Sequence, residues 1–425
     1  MGFDSYTGCM NKKIFSWAMY DWANSVFFTT VMAGFFPVFF KKYWNTEATV
    51  LQSTERLGLL LAIAGFVLAI LSPLLGVISD YRRSKKKFLF GFMIIGVISN
   101  AALFLVPQGE WFLAALSYGI AFFACSASCV FYDSLMSGVT EPEQYDKVSS
   151  LGYSLGYLAG ALLLVVNVLM YQKPELFGFV DAVQGVKYSF LTVSVWWFLF
   201  TFPLMLNVPE PEMSSHSDSI LKLLKKSIRE LNHTFLDLAK NRNILFFILA
   251  YWFYIDGVST VMTMAVDFGV SLGFEAGDLI KALLITQFVG FPAAYFAGYL
   301  ATRWGSKSVI SACLVLYLCV VVGASYMSQS WHFYLMAFMI GLSQGGVQAL
   351  SRSTFAYLTP PEKSGEYFGF FNLLGKFASV LGPLLMAGTA RLVSDPQKTI
   401  LSLSVLFILG LYFLSKVKIQ HRSSL

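Results

Sequence analysis

Residues 133–157 read DSLMSGVTEPEQYDKVSSLGYSLGY, and residues 352–376 read RSTFAYLTPPEKSGEYFGFFNLLGK. The two stretches align without a gap at a constant offset of 219 residues, so that Asp133 stands against Arg352. Both run from an apolar segment through a Thr-x-Pro-Glu turn into a second apolar segment. This pattern predicts an internal repeat, in which two halves of the chain have the same fold.

Two further pairs of segments match in the same order along the chain. In the first apolar run of each half, an acid precedes small hydrogen-bonding residues, as DWANS at 21–25 and DGVST at 256–260. After the second run, GVISDYRRSK at 76–85 stands against GYLATRWGSK at 298–307. Three matches in a consistent order favour a repeat-built membrane protein over chance similarity between apolar runs.

The composition places this chain in a membrane. Of its 425 residues, 56% are hydrophobic and 13% are charged, whereas a soluble domain has about 25% charged residues. Apolar runs of about 20 residues, each able to cross about 30 Å of hydrocarbon, recur throughout. We predict an all-α polytopic membrane protein with 12 transmembrane helices in two pseudo-symmetric six-helix bundles. The spans are expected near residues 14–40, 57–79, 88–106, 111–133, 147–170, 188–207, 243–266, 278–302, 308–327, 331–357, 365–393 and 397–415.

The longest polar stretch divides the chain into its predicted domains. The first bundle is expected at 1–207, the second at 243–425, and a cytoplasmic linker with an amphipathic helix at 208–242. Most Lys and Arg residues fall on the side of the membrane that holds this linker. The positive-inside rule therefore predicts that both termini are cytoplasmic, and that a bacterial chain lies in the plasma (inner) membrane.

Several function classes lack their sequence signatures. No G-x-x-x-x-G-K-[ST] loop, nucleophile elbow or H-E-x-x-H pair occurs, so an ATP-driven pump or an enzyme is not predicted. The five cysteines form no metal-type pair, so neither a metal nor a cofactor is expected. The net charge of +6 reflects basic loops at the membrane and not a nucleic-acid partner.

Several stretches resemble signature segments of one transporter family, the vacuole-effluxer-like, autophagy-associated branch of the major facilitator superfamily. The repeated loops after the second spans resemble the G-x-x-x-D-R-x-G-R-K loop of that superfamily, although Thr302 stands where Asp is usual. The resemblance implies a twelve-helix alternating-access carrier, and fungal members are associated with export of amino acids from the vacuole. The matching stretches are YDWANS at 20–25, SSLGYSLGY at 149–157, YIDG at 254–257, QGGVQALSRS at 344–353 and FGFFNLLGKF at 368–377.

Two duplicated acids are the leading candidates for a functional site. Asp21 and Asp256 fall in the central parts of the first and seventh spans. A carboxylate there costs roughly 2.5–3.5 kcal/mol on insertion scales, so it is expected to face a cavity, a partner or a transported ion. The acids could exchange protons, contact the solute, or pair with a neighbouring Tyr, Asn or Arg to tie each helix to its bundle.

Other polar residues within the spans could form the remainder of a substrate or proton site. Uncharged side chains there can orient a small polar solute, or can equally bind helices to one another. Lys376, deep in the eleventh span, could receive a substrate carboxylate or pair with an intramembrane acid. The uncharged candidates are Tyr20, Asn24, Ser25, Tyr254, Gln287, Gln344 and Gln348.

A second group of charges could form a gate at the cytoplasmic ends of the spans. Asp133 and Arg352 occupy equivalent positions on the fourth and tenth spans, where opposite charges can pair when the gate closes. The other candidates lie in short cytoplasmic loops, where charge pairing and helix ends could hold the face shut. They are Asp80, Arg82, Arg83 and Arg303.

We expect a secondary active transporter that moves a small polar solute across the bilayer by alternating access, with amino acids as the leading substrate class and protons as a candidate coupling ion. It is expected to work as a monomer. Two alternatives stay open: a carrier of another organic solute such as a sugar, organic acid, drug or siderophore, and a non-transporting membrane sensor of the same fold.

Overall fold

The computed structural model describes residues 12–82, 84–210, 240–271, 276–377, 381–392 and 396–418, and every regular element in these residues is a helix. The first half contains α1 (Lys12–Trp44), α2 (Val50–Arg82), α3 (Lys85–Ala102), α4 (Trp111–Val139), α5 (Tyr145–Gln172) and α6 (Ala182–Asn207). The second contains α7 (Arg242–Ser271), α8 (Ala276–Trp304), α9 (Ser306–Ala324), α10 (Ser330–Leu358), α11 (Ser364–Phe377), α12 (Leu381–Leu392) and α13 (Ser404–Lys416).

Helices occur at all twelve predicted positions, and nine helices among the described residues are long and apolar enough to cross a bilayer by themselves. The eleventh span is described as α11 and α12, on either side of residues 378–380. The helix α2 is longer at both ends than its predicted span. The amphipathic helix predicted for the linker lies outside the described residues.

Glycines let α1 and α5 approach closely within the first half. A Cβ atom at Gly152 would lie 2.3 Å from a carboxylate oxygen of Asp21, and one at Gly156 would lie 2.4 Å from the hydroxyl of Ser25. A Cβ at Gly160 would lie 2.6 Å from the hydroxyl of Thr29. Because only glycine fits, this face of α5 holds the polar side of α1 against it, as expected for small residues at a membrane helix interface.

The two halves meet along two pairs of surfaces. The helix α2 packs on α11, and α5 packs on α8 and α10. At the first surface the backbones touch, because a Cβ at Gly76 would lie 2.2 Å from the carbonyl oxygen of Gly365. We call the end of the bundles at which α1 begins and α13 ends the terminal face; it is the face that the sequence predicts to be cytoplasmic.

A candidate gate between the two bundles

One buried arginine of the second bundle binds two acids of the first. Arg352 lies in the last two turns of α10 and is 1% exposed. Its Nη2 atom lies 2.9 Å from Asp21 Oδ2 on α1, and its Nη1 atom lies 3.2 Å from Asp133 Oδ1 on α4. It also donates from Nε to Ser149 Oγ (2.8 Å) and from Nη2 to the Ser149 carbonyl (2.9 Å) on α5. A single guanidinium group therefore joins three helices of the opposite bundle.

Both acids have a second hydrogen-bond donor. Tyr132 donates its hydroxyl to Asp21 Oδ2 (2.8 Å), and Asn372 on α11 donates its side-chain amide to Asp133 Oδ2 (3.2 Å). A buried ion pair is tolerated when further hydrogen bonds satisfy its remaining atoms, as they do here. With two carboxylates and one guanidinium ionised, the cluster would carry one net negative charge.

Three aromatic rings surround the guanidinium group. Its central carbon lies 4.8 Å, 5.2 Å and 4.3 Å from the ring centroids of Trp17, Tyr132 and Tyr153. These distances are within the range of cation–π attraction. We call the first-bundle residues around Arg352 the guanidinium pocket; they are Trp17, Asp21, Tyr132, Asp133, Ser149 and Tyr153.

A second contact joins the bundles at the end of α2. Asp80 accepts hydrogen bonds from the backbone N–H groups of Gly365 (3.1 Å) and Glu366 (3.0 Å), at the start of α11. Lys85 lies 2.9 Å from Asp80 and donates to Ser364 Oγ at 2.7 Å. The carboxylate thus meets the positive end of a helix in the opposite bundle, an arrangement that stabilises the contact.

A third contact joins the bundles at the second repeated loop. Asp146 on α5 accepts hydrogen bonds from Ser306 (2.7 Å) and from Ser353, both in the second bundle. Thr302, which stands where the superfamily usually has Asp, is exposed and donates to a backbone carbonyl of its own helix. In all three contacts the first bundle supplies the carboxylates, and groups of the second bundle donate to them.

Asp256 has a different environment from its repeat partner Asp21. It is fully buried and accepts hydrogen bonds from the N–H groups of Leu381 (2.9 Å) and Gly382 (2.8 Å), with Thr260 Oγ1 at 3.3 Å. The first two donors belong to the first residues of α12. Asp256 therefore binds α12 to α7 within its own bundle through backbone N–H groups, and its role in transport stays a prediction.

Several of the uncharged candidates bind helices within one bundle. Tyr20 donates to Ser128 Oγ at 2.7 Å, and the Tyr254 hydroxyl lies 2.6 Å from Ser351 Oγ. The amide of Asn24 lies 3.7 Å from Cys129 Sγ. These contacts join α1 to α4 and α7 to α10.

Two of the three candidate glutamines lie at the bundle interface, and the third lies one turn away on α10. Gln348 accepts a hydrogen bond from Tyr157 of the first bundle at 2.9 Å. Gln287 lies beside Gly160, where a Cβ would be 3.5 Å from its Oε1 atom. Gln344 directs its amide nitrogen at a methionine sulfur, and its Oε1 has no hydrogen-bond partner among the described residues. Polar groups of this kind could accept a solute.

Among the remaining candidates, Arg303 has a described side chain. Arg303 is exposed, and its guanidinium carbon lies 4.7 Å from the Tyr299 ring centroid on its own helix. Arg83 and the side chains of Arg82 and Lys376 lie outside the described residues.

Sequence reasoning did not single out Trp17, Tyr132, Ser149, Asp146 or Tyr153. Ser149 and Tyr153 fall in the stretch SSLGYSLGY, which signals the family resemblance, so that stretch could have indicated them. Trp17 and Tyr132 carry no such signal, because aromatic residues are common throughout this chain.

Two bundles of membrane-spanning helices, which meet here around a buried arginine–carboxylate cluster, are the fold of major facilitator superfamily transporters. The human organic anion transporter MFSD10 (TETRAN) has the same fold, with a TM-score of 0.75 and 13% identity over 96% of this chain and 100% of that chain. The proton:xylose symporter XylE superimposes with a TM-score of 0.69 and 13% identity over 95% and 94% of the two chains. These similarities confirm the predicted fold class.

The particular family follows from sequence comparison. The family model described as "Vacuole effluxer Atg22 like" matches residues 57–141 and 138–424, and the chain belongs to this family. The MFS-type transporter YxiO of Bacillus subtilis is 37% identical over 409 residues, covering 96% of this chain and 95% of that protein. Autophagy-related protein 22 of Eremothecium gossypii is 22% identical over 443 residues, covering 90% and 86%.

Proposed function

We propose that this transporter is a secondary carrier of a small polar solute, and that the Arg352 cluster is part of the gate on its terminal face. The observation that carries this proposal is that Arg352 binds Asp21, Asp133 and Ser149, all in the opposite bundle. Rocking of the bundles to open this face would separate the cluster. Alternating access of this kind moves one repeat against the other around a central site.

The burial of the cluster favours two discrete states. Removing one partner of a buried ion pair typically costs about 3–5 kcal/mol when the other charge stays buried. Opening the face to water would hydrate the separated charges, and their hydration would offset much of this free-energy cost. A partly opened face, without the pair and without full hydration, is therefore the least stable arrangement.

Unequal numbers of acids and bases in the cluster support proton coupling. When Arg352 moves away with α10, Asp21 and Asp133 stay together in the first bundle. Two carboxylates that share a site bind a proton more readily than an isolated carboxylate, because ionisation of both is unfavourable. We propose that one of the two acids takes up a proton when the terminal face opens.

The uncharged amide groups in the middle of the interface suit a small polar solute, and we propose amino acids as the leading class. Gln287 and Gln348 offer amide groups at the surface where α5 meets α8 and α10, and Gln344 lies one turn before Gln348 on α10. The family description as a vacuole effluxer is consistent with this class. We also propose that the chain works as a monomer, with its terminal face in the cytoplasm of a plasma membrane.

Reconstituted transport tests this function directly. The purified protein in liposomes is given labelled amino acids, sugars and organic anions, with and without a pH gradient. We expect gradient-driven accumulation of an amino acid, which Asp21→Asn and Asp133→Asn abolish while exchange without a gradient persists. Asp278→Asn is the matched control, because Asp278 lies at the opposite end of the bundles and binds Tyr334 and Lys281.

The outcomes separate the parts of the proposal. Undiminished accumulation in both gate variants would refute proton coupling through this cluster. Failure of the wild-type protein to move any solute of the panel would refute the carrier itself.

A further inference from the structure

We propose that the guanidinium pocket, which holds Arg352 when the terminal face is closed, binds a cationic group of the solute when that face is open. The group would be a guanidinium, the same group that Arg352 places in the pocket. This inference rests on the proposed transport function and assigns a substrate class to one defined site.

The pocket belongs entirely to the first bundle, whereas its occupant belongs to the second. Its residues lie on α1, α4 and α5, and Arg352 lies on α10. Separation of the bundles therefore removes the guanidinium group and leaves the pocket behind. The occupant of the closed state is a side chain of this same protein, so it shows which chemistry the pocket accepts.

Contacts that do not involve Arg352 keep the pocket in shape. Trp17 stacks on Tyr132 with ring centroids 4.4 Å apart, and its Nε1 atom donates to the Tyr132 carbonyl at 3.1 Å. The Tyr132 hydroxyl donates to Asp21 at 2.8 Å. A site that is already ordered costs less to fill, because little conformational freedom is lost on binding.

The chemistry of the vacated pocket selects cations. It offers two carboxylates, the faces of three aromatic rings and a backbone carbonyl, and all of these attract positive charge. Without Arg352 the two carboxylates leave a charge of −2 in a site that was buried, or −1 once one of them has taken up a proton. An anion is repelled there, and a neutral solute leaves the charge uncompensated.

Competition between Arg352 and the solute would couple binding to the gate. A solute cation in the pocket blocks the return of Arg352. The terminal face therefore closes only after the solute cation has left the pocket. A ligand shifts such an equilibrium by its differential affinity for the two states, and this pocket is free in only one of them.

The first measurement uses Arg352→Ala in the full-length protein, with the guanidinium ion as the probe. Thermal unfolding is followed in 20 mM guanidinium chloride, in 20 mM sodium chloride and in 20 mM urea, which is uncharged and has a similar shape. We expect guanidinium alone to raise the midpoint, by about 2 °C. This rise of the midpoint should be lost in the double variant that combines Asp21→Asn with Arg352→Ala. Arg303→Ala, which removes an exposed arginine stacked on one tyrosine, is the matched control and should show none.

The second measurement uses the wild-type protein, so it decides the question even where Arg352→Ala does not fold. Liposomes loaded with arginine or with citrulline are tested for counterflow of the same labelled solute; citrulline carries an uncharged ureido group in place of the guanidinium. We expect counterflow of arginine to exceed that of citrulline by at least tenfold.

The outcomes distinguish this inference from the proposed function. Equal counterflow of arginine and citrulline, or a folded Arg352→Ala without the guanidinium shift, overturns the pocket as a solute site while the carrier stands. A guanidinium shift without transport of any solute refutes the proposed function, and with it the solute role of the pocket.

Discussion

Adding a single methyl group at Gly152 should prevent the terminal face from closing. A Cβ at this position would lie 2.3 Å from Asp21 Oδ2, 3.0 Å from Arg352 Nη2 and 3.1 Å from the Tyr132 hydroxyl. Ordinary van der Waals contact begins near 3.4 Å, so the carboxylate oxygen would have to move by about 1 Å. Gly152→Ala therefore acts at the point where the two bundles share their ion pair.

The expected magnitude follows from the atoms that must move. Overpacking of a tightly packed site typically costs about 1–3 kcal/mol. A displacement of about 1 Å would also lengthen the 2.9 Å bond from Arg352 to Asp21 beyond hydrogen-bonding distance. The clash with Asp21 lies within the first bundle and exists in both states, but the displaced carboxylate loses its bond to Arg352 only in the closed state. A difference of about 2 kcal/mol between the states shifts the open-to-closed ratio by roughly 30-fold.

Thiol labelling measures this ratio. Cys129 is partly buried on α4, four residues before Asp133, and contacts Asn24 of α1 within the first bundle. With the other cysteines replaced by serine, we expect a membrane-impermeant maleimide added to the terminal face to label Cys129 at least tenfold faster in Gly152→Ala. Gradient-driven transport should fall at the same time.

Two control variants separate closure of the gate from general damage. A Cβ at Gly91 meets no heavy atom of the described residues within 4 Å, so Gly91→Ala should label as the parent does. Gly156→Ala disturbs the same pair of helices through Ser25 but does not reach Arg352. If folded Gly152→Ala labels no faster than Gly156→Ala, the clash at the ion pair does not control the gate.

Three further predictions follow from the other contacts. Asp256→Asn replaces a carboxylate that accepts hydrogen bonds from two backbone N–H groups, and it should lower the free energy of unfolding by about 1–3 kcal/mol. The pH dependence of transport should not change; an altered pH profile would make Asp256 a proton site. Asp146→Ala removes the acceptor for Ser306, so maleimide labelling from the terminal face should rise several-fold, and an unchanged rate would mean that this contact does not hold the face closed. Tyr157→Phe removes one hydrogen bond between the bundles, to Gln348, and should change exchange rates by less than tenfold while the protein keeps its thermal stability.

Much of the architecture could be predicted from the sequence, because the bilayer imposes a simple rule on the chain. Backbone polar groups must be satisfied within each span, so long apolar runs become helices and their positions can be found by length and hydropathy. The repeat at an offset of 219 residues also placed Asp133 and Arg352 at equivalent positions. The structure puts these two side chains 3.2 Å apart, and their role as a gate stays a prediction.

The internal repeat was less informative about the two duplicated acids. It assigned Asp21 and Asp256 the same set of roles, yet Asp21 binds an arginine of the other bundle and Asp256 binds backbone N–H groups of its own. Pseudo-symmetry relates positions along the chain, whereas the partner of a side chain depends on what the neighbouring helix offers. The helix type of residues 27–35 in α1 could not be predicted either. These residues form a π-helix, and nothing in their apolar sequence distinguishes it from an ordinary α-helix.

The sequence alone determined the membrane class, the twelve helical positions, the repeat and the family resemblance, since each of these depends on local composition or on motifs that can be read along the chain. Only the tertiary structure decided that Arg352 reaches both Asp21 and Asp133 and that Gly152 leaves room for this contact. Such contacts depend on the rotation of each helix about its axis and on the distance between bundles. Packing among many helices sets both quantities, and no single stretch of sequence records them.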